Sequence, residues 1–291
     1  MMDSLSNWDN TGWASKNGKA VHVSEVERGL ACDCVCPSCG GQLIARKGKR
    51  RIHHFAHAQK VDCTSLGESA LHLACKDVIA EAREMVLPQV IASDGKHLGG
   101  GSHSPQGNNI VAASQRVRFD SVELERGLGR IIPDVTVSSG GHSLCIEILV
   151  THAVSEEKAL RYEAMKVSAL EVDVSDLPRD APKEEITRRV IECVKHKKWL
   201  HNAKAAKRLA GCARKTSHPV VSCPLPTTAL LDNLPGNGWR PAARRQAYQG
   251  KVYWLNYCLY CKHALCFADE AIYCDATAES TRHYKKFPGG F

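Results

Sequence analysis

Arg130-Ile131-Ile132-Pro133-Asp134, followed after a turn by Cys145-Ile146-Glu147-Ile148-Leu149, is the stretch that decides the fold. The turn is Ser138-Ser139-Gly140-Gly141, and two adjacent glycines between extended runs are a hairpin signal. Residues 130–137 and 143–151 therefore read as neighbouring strands. Paired across that turn, they bring Asp134 and Glu147 onto one face. Glu147 lies inside an otherwise apolar strand, where an unpartnered carboxylate is costly to bury. It should therefore have a cation or a hydrogen-bond donor beside it. A salt bridge, for example with Arg130, is one solution. A hard Mg²⁺ or Mn²⁺ ion shared by Asp134 and Glu147 is the other, since such ions take carboxylate oxygens and water.

Working outward, residues 68–87 read as a helix, with Leu71, Ala74, Val78 and Ala82 at helical spacing. Glu68, His72 and Lys76 fall at i, i+4 and i+8 and share one face. Residues 99–109, rich in Gly, Ser, His and Asn, read as a loop. A strand over 113–125 precedes the break Gly127-Leu128-Gly129. Beyond the hairpin, Ser155 can cap a helix over 156–167, and a strand follows at 169–174. Residues 183–209 read as a basic helical extension carrying Lys195, Lys197, Lys198, Lys204, Lys207 and Arg208. Such a helix would track phosphates. The order is helix, three strands, helix, strand: an α/β (α+β) chain with a mixed sheet.

The cysteines crowd the two ends. Cys36-Pro37-Ser38-Cys39-Gly40-Gly41 has the form of a zinc knuckle, two thiols with glycines that permit the tight turn. His57 and Cys63 are the expected partners, with His54 as the alternative to His57; Cys32 and Cys34 alternate with Cys36 and could substitute. At the far end Cys258-Leu259-Tyr260-Cys261 is a second knuckle, with Cys274 as third ligand and Cys223 or Cys266 as fourth. Both sites have four protein ligands, which marks them as structural. The expected organisation is a zinc module over 1–66, a core with its basic extension over 67–210, and a zinc-ribbon-like module over 211–291.

The bulk properties agree. The chain has 291 residues, 43% of them apolar, enough for a sizeable core, and no run suits a membrane span. The opening residues 1–10 are polar and lack the pattern of a secretory leader. The cytoplasm is the expected compartment, and closely spaced thiols there read as metal ligands. A net charge of +8 fits a polyanionic partner.

Together these motifs resemble the competence-protein CoiA-like family. The resemblance rests on Cys36-Pro-Ser-Cys39, Ala45-Arg-Lys-Gly48, His54-Phe-Ala-His57, Cys63, Glu68-Ser-Ala-Leu-His72, Lys76, Pro133-Asp134 and Ile146-Glu147, over about residues 20–180. It implies a restriction-endonuclease-like core of the PD-(D/E)xK type. The implied activity is metal-dependent cleavage of foreign, single-stranded or branched DNA, with structural zinc and catalytic Mg²⁺ or Mn²⁺. The implied partners are DNA and other DNA-processing or defence proteins. Asp134, Glu147 and Glu68 would carry the chemistry. The lysine usually found two residues after the Glu is here Leu149, so Lys158 or Lys76 must supply the ammonium, and Thr151-His152 would line the cleft. Without that ammonium the chain reads instead as a zinc-stapled DNA-binding or adaptor protein.

Overall fold

A computed structural model of the protein describes residues 11–92, 110–212, 217–219, 264–268 and 271–274. In chain order the elements are β1 (Trp13–Lys16), β2 (Lys19–His22), β3 (Gly29–Val35), β4 (Gln42–Arg46), β5 (His54–His57), α1 (Leu66–Ala82), β6 (Glu84–Leu87), β7 (Val90–Ile91), β8 (Ile110–Ala112), β9 (Gln115–Arg118) and β10 (Ser121–Leu124). There follow β11 (Val135–Ser139), β12 (His142–Leu149), α2 (Glu156–Ala164), β13 (Ser168–Asp173), α3 (Lys183–Thr187), β14 (Lys197–His201), α4 (Ala203–Cys212), β15 (Ser217–Pro219), β16 (Ala264–Ala268) and β17 (Ala271–Cys274). This is a mixed α/β fold with several antiparallel sheets.

The central sheet has the order β10-β11-β12-β13-β14. Its neighbours pair antiparallel except β12 and β13, which run parallel across the α2 crossover. Alternation along β12 divides its side chains. Leu144, Ile146 and Ile148 join a core with Leu71, Cys75, Val78 and Ile79 of α1 and with Ile186 of α3. Cys145 faces the other way and packs with Tyr162 of α2 and Ala169 of β13. Helices therefore cover both faces.

The N-terminal sheet, β2-β1-β3-β4-β5, is antiparallel, and Thr11 bridges back to Phe55 of β5. Trp13 belongs to the core of the central sheet rather than to its own. Its indole Nε1 donates to the carbonyl of Ala181 at 2.8 Å. Asp77 of α1 accepts from the Ala20 amide at 2.6 Å. The boundary expected at residue 66 thus falls at the start of α1, inside one compact unit made of residues up to Pro88 with Ser114–His201. A second unit holds the β7–β8 pair, α4 and the antiparallel sheet β15-β17-β16.

Several element boundaries differ from the sequence expectation. The helix over 68–87 ends at Ala82, where Arg83 adopts a left-handed conformation (φ 50°) and the chain enters β6. Glu84–Leu87 is satisfied by pairing with β9, which overrides its helix propensity. The strand over 113–125 is split, because Phe119 turns into the core and Asp120 accepts the Gly140 amide at 2.8 Å. The largest correction concerns 183–209, which is not one basic helix. A wide helical turn at Arg188–Glu192 leads through a 3₁₀ turn into β14, which pairs antiparallel with the otherwise open edge of β13 over Ala169–Val172, with a register shift between Ala169 and Leu170. Only at Ala203 does a helix resume, capped by Asn202 Oδ1, which accepts from the Lys204 and Ala205 amides at 3.1 Å. Lys197 is buried and donates to the carbonyls of Val86 (2.8 Å) and Ile191 (2.9 Å).

Two outcomes follow for stability. A Cβ on Gly12 would lie 2.7 Å from the Asp180 Cα, so backbone would have to shift. Gly12→Ala should cost about 1–3 kcal/mol in urea unfolding. Burial pushes the Lys197 ammonium from an ordinary 10.5 down to about 8. Between those values the unfolded chain binds the proton more tightly, so stability rises with pH across that window. The unfolding free energy of wild type relative to Lys197→Met should accordingly shift in favour of wild type between pH 8 and 10.5.

Candidate functional site

Two constellations stand out, and the first turn of α1 lies next to both. The first is the thiol and imidazole set Cys36, Cys39, His57 and Cys63. Their ligand atoms all lie within 4.8 Å of one another, and among the described residues no other group of three or more ligands does so. Cys36 Sγ is 3.8 Å from Cys63 Sγ, and Cys39 Sγ is 3.3 Å from His57 Nε2. A tetrahedron with Zn–S bonds of about 2.3 Å has S···S edges of about 3.8 Å, and slightly shorter S···N edges. A disulfide would need about 2.05 Å. The residues therefore fit a metal such as zinc.

The local chain explains the fit. Gly40 has φ +71° and donates from its amide to Cys36 O at 2.9 Å, closing the knuckle. A Cβ on Gly41 would lie 3.2 Å from Cys39 Sγ and 3.3 Å from His57 Cδ2, crowding two ligands at once. Burial pushes the Cys36 thiol up to about 11. At Cys63 burial acts in the same sense, but the Ser65 amide and the Cys39 and Cys36 sulfurs outweigh it and bring the thiol below its ordinary value. A metal would take the place of the thiol protons. His54 points elsewhere, with its Nδ1 2.9 Å from the Ile52 carbonyl. Cys32 and Cys34 stay in the core of the N-terminal sheet, Cys32 Sγ lying 3.4 Å from Leu43 O. Of the C-terminal set, Cys223, Cys258 and Cys261 lie outside the described residues, while Cys266 and Cys274 fall on the paired strands β16 and β17.

The second constellation gathers at the C-terminal end of β12. Asp134 immediately precedes β11, and its Oδ2 accepts from the Ile148 amide at 2.7 Å and lies 2.9 Å from His72 Nε2. Glu147, 3% exposed, receives Lys158 Nζ at 2.6 Å on Oε1. The Tyr162 hydroxyl donates to the same oxygen. Glu68 Oε1 accepts from the Thr151 hydroxyl, and His152 Nδ1 stands 2.9 Å from that hydroxyl oxygen. The two central carboxyls are driven apart. Burial raises Glu147 above the usual carboxylate range, only partly offset by Lys158 and Tyr162. Burial also acts on Asp134, but His72, the Ile148 amide and Lys158 hold it below its ordinary value.

Among the described residues each of the three carboxylates is anchored through one oxygen. Asp134 Oδ1, Glu147 Oε2 and Glu68 Oε2 have no protein partner among the described residues, and none is a buried orphan. Carboxylate oxygens are the donor type a hard cation takes. Lys158 and Tyr162 supply the partners that a buried Glu147 needs, although Asp134 still acts to raise it. The salt bridge to Glu147 is made by Lys158, not by Arg130. Lys76, one turn beyond His72, is taken by Glu125 at 2.5 Å. Sequence reasoning passed over Tyr162 and Glu171. Tyr162 stands four residues after Lys158, hence on the same face of α2. Glu171 lies in register with Glu147 on β13, and its Oε2 accepts the Val154 amide at 2.7 Å, fixing the loop that carries Thr151 and His152.

Fold and first constellation together define a mixed α/β protein with a Cys₃His candidate metal centre. Residues 22–66 match the family model described as competence protein CoiA, N-terminal domain. The match takes in the whole Cys₃His set and stops at the first residue of α1. No curated protein and no solved structure matches the chain. Among the described residues no helix is long and apolar enough to cross a membrane.

If the Cys₃His set holds zinc, Cys39→Ser and His57→Ala should each contain one zinc per chain fewer than wild type by elemental analysis. Cys32→Ala, which alters a core thiol of the N-terminal sheet, should keep wild-type zinc. Equal zinc in all three variants would remove the assignment.

Proposed function

We propose that this protein is a metal-dependent DNA endonuclease with a restriction-endonuclease-like core, acting on foreign, single-stranded or branched DNA. The observation that carries the reading is the anchoring of Asp134, Glu147 and Glu68 through one oxygen each, beside the Lys158 ammonium. The order of α1, β10–β12, α2 and β13 supports it, as does the match of residues 22–66 to a competence-protein domain. The zinc module then serves as a structural staple.

In this reading Mg²⁺ or Mn²⁺ supplies charge on the scissile phosphate and an attacking water of lowered pKa when bound. Asp134, kept ionised by His72 and the Ile148 amide, and Glu147 would hold the ion through their outer oxygens. Glu68 adds a third oxygen from α1. Lys158 stands in for the lysine that Leu149 replaces, and its ammonium balances the negative charge that grows during attack. Tyr162 fixes Glu147 from the side away from substrate. DNA is the partner proposed here, and the cytoplasm the compartment.

A second reading, a DNA-binding module without cleavage, is favoured by one observation. The three carboxylates do not form a ligand group within 4.8 Å of one another, as the Cys₃His set does. Cleavage assays on single-stranded, duplex and branched DNA, with Mg²⁺, Mn²⁺ or no added divalent ion, separate the two. Asp134→Ala, Glu147→Ala and Lys158→Met should each lower the cleavage rate by roughly 10²–10³-fold or more while retaining wild-type zinc. No cleavage by wild type on any substrate would leave the binding module. Unaltered cleavage by Asp134→Ala combined with Glu147→Ala would remove the site.

A further inference from the structure

The β4–β5 connection runs Arg46-Lys47-Gly48-Lys49-Arg50-Arg51-Ile52-His53, and no acidic residue occurs between Asp33 and Asp62. Both roots of this loop are held. Lys47 Nζ donates to the carbonyls of Ser24, at 3.3 Å, and of Val26. At the other end Arg46 pairs with His54 in the ladder, and the His54 ring is fixed against the Ile52 carbonyl at 2.9 Å. Between the roots Arg46, Lys49, Arg50 and Arg51 are exposed. Among the described residues none of the four meets an acid.

Several exposed cations elsewhere in the same unit are neutralised locally, whereas these four stand together without an acid. Arg116 bonds Glu84 and Glu192, Arg126 bonds Glu123, and Arg161 bonds Glu157. The four loop cations surround an open concavity of about 470 Å³, with Gly48, Ile52 and His54 completing its wall. A Cβ on Gly48 would meet nothing within 4 Å, so the space beside it is open. Like charges crowded on a tethered loop repel one another, and a polyanion relieves that repulsion. Guanidinium groups suit it, because their forked donors match phosphate oxygens two at a time. Charges at successive positions fit the repeating phosphates of a strand better than a single anion.

We infer that the β4–β5 loop is a clamp for the phosphate backbone of DNA, supplied by the zinc module rather than by the 195–208 segment. The inference rests on the DNA reading above, and it assigns the backbone contact to a part of the chain outside the carboxylate site. Fluorescence anisotropy of the full chain with short single-stranded and duplex oligonucleotides, without added Mg²⁺ or Mn²⁺, tests it. Lys49→Gln, Arg50→Gln and Arg51→Gln together should weaken binding roughly tenfold or more and reduce the slope of log K against log salt by about 2–3. Arg126→Gln with Arg161→Gln, which removes cations already paired, should leave the slope as it is. Inorganic phosphate should compete no better than its ionic strength accounts for; specific competition would point to a single-anion pocket and overturn the clamp.

Zinc content reports whether the triple variant has kept its fold. If it has not, Arg50→Gln alone should lower the slope by about 0.7–0.9. The charge-preserving Arg50→Lys should then restore it. Wild-type DNA binding with an unchanged slope in the folded triple variant, or in Arg50→Gln should the triple lose its fold, overturns the clamp and leaves the DNA reading standing. No DNA binding by wild type at low salt overturns both.

Discussion

The first two turns of α1 are held from two directions, and most of the candidate chemistry depends on that. On one side, Leu66 is buried in the core of the N-terminal sheet, and Ser65 Oγ lies 2.8 Å from Ser38 Oγ inside the Cys36–Cys39 knuckle. On the other, Glu68 meets Thr151 and His72 meets Asp134. The Ser65 side chain makes no capping hydrogen bond to the helix. The start of α1 is therefore set by tertiary contacts more than by local capping. A metal in the Cys₃His set would fix Cys63, three residues before Leu66, and so the angle at which Glu68 and His72 reach the central sheet. The staple and the carboxylate cluster are parts of one mechanical chain.

The central sheet supplies the other half of the geometry. A parallel β12–β13 pair between antiparallel neighbours directs the α2 crossover onto the face carrying Glu147. Lys158 and Tyr162 share one face of that helix and converge on a single oxygen of Glu147. Converging donors let a carboxylate stay buried without a metal. Among the described residues the outer oxygens of Asp134, Glu147 and Glu68 have no protein partner, and it is on these oxygens that the proposed function rests.

Much of this was legible in the sequence, and the exceptions have physical reasons. The Asp134–Glu147 hairpin could be read because a double glycine and two apolar runs leave one register that buries the right face. The knuckle could be read because its spacing and glycines are local. His57 could not be separated from His54 on spacing, since both lie on β5; only the bond from the His54 ring to Ile52 O divides them. The 195–208 segment misled because its lysines suggest a solvated helix, while pairing with β13 decides its conformation. A buried Lys197 is invisible to a composition argument. Tyr162 and Glu171 escaped because their roles come from register between elements far apart in the chain.

The bond from the Trp13 indole to the Ala181 carbonyl spans 168 residues. A ribosome adding roughly 5–20 residues per second completes that stretch in on the order of ten to thirty seconds. During that interval β1 has emerged but lacks its seat, and the Trp13 ring is exposed apolar surface on a nascent chain. The Cys₃His set, by contrast, is complete once residue 63 has emerged. Early metal capture would give the N-terminal sheet an anchor while it waits, so that nascent chains starved of metal would be the ones most exposed to chaperones and proteases.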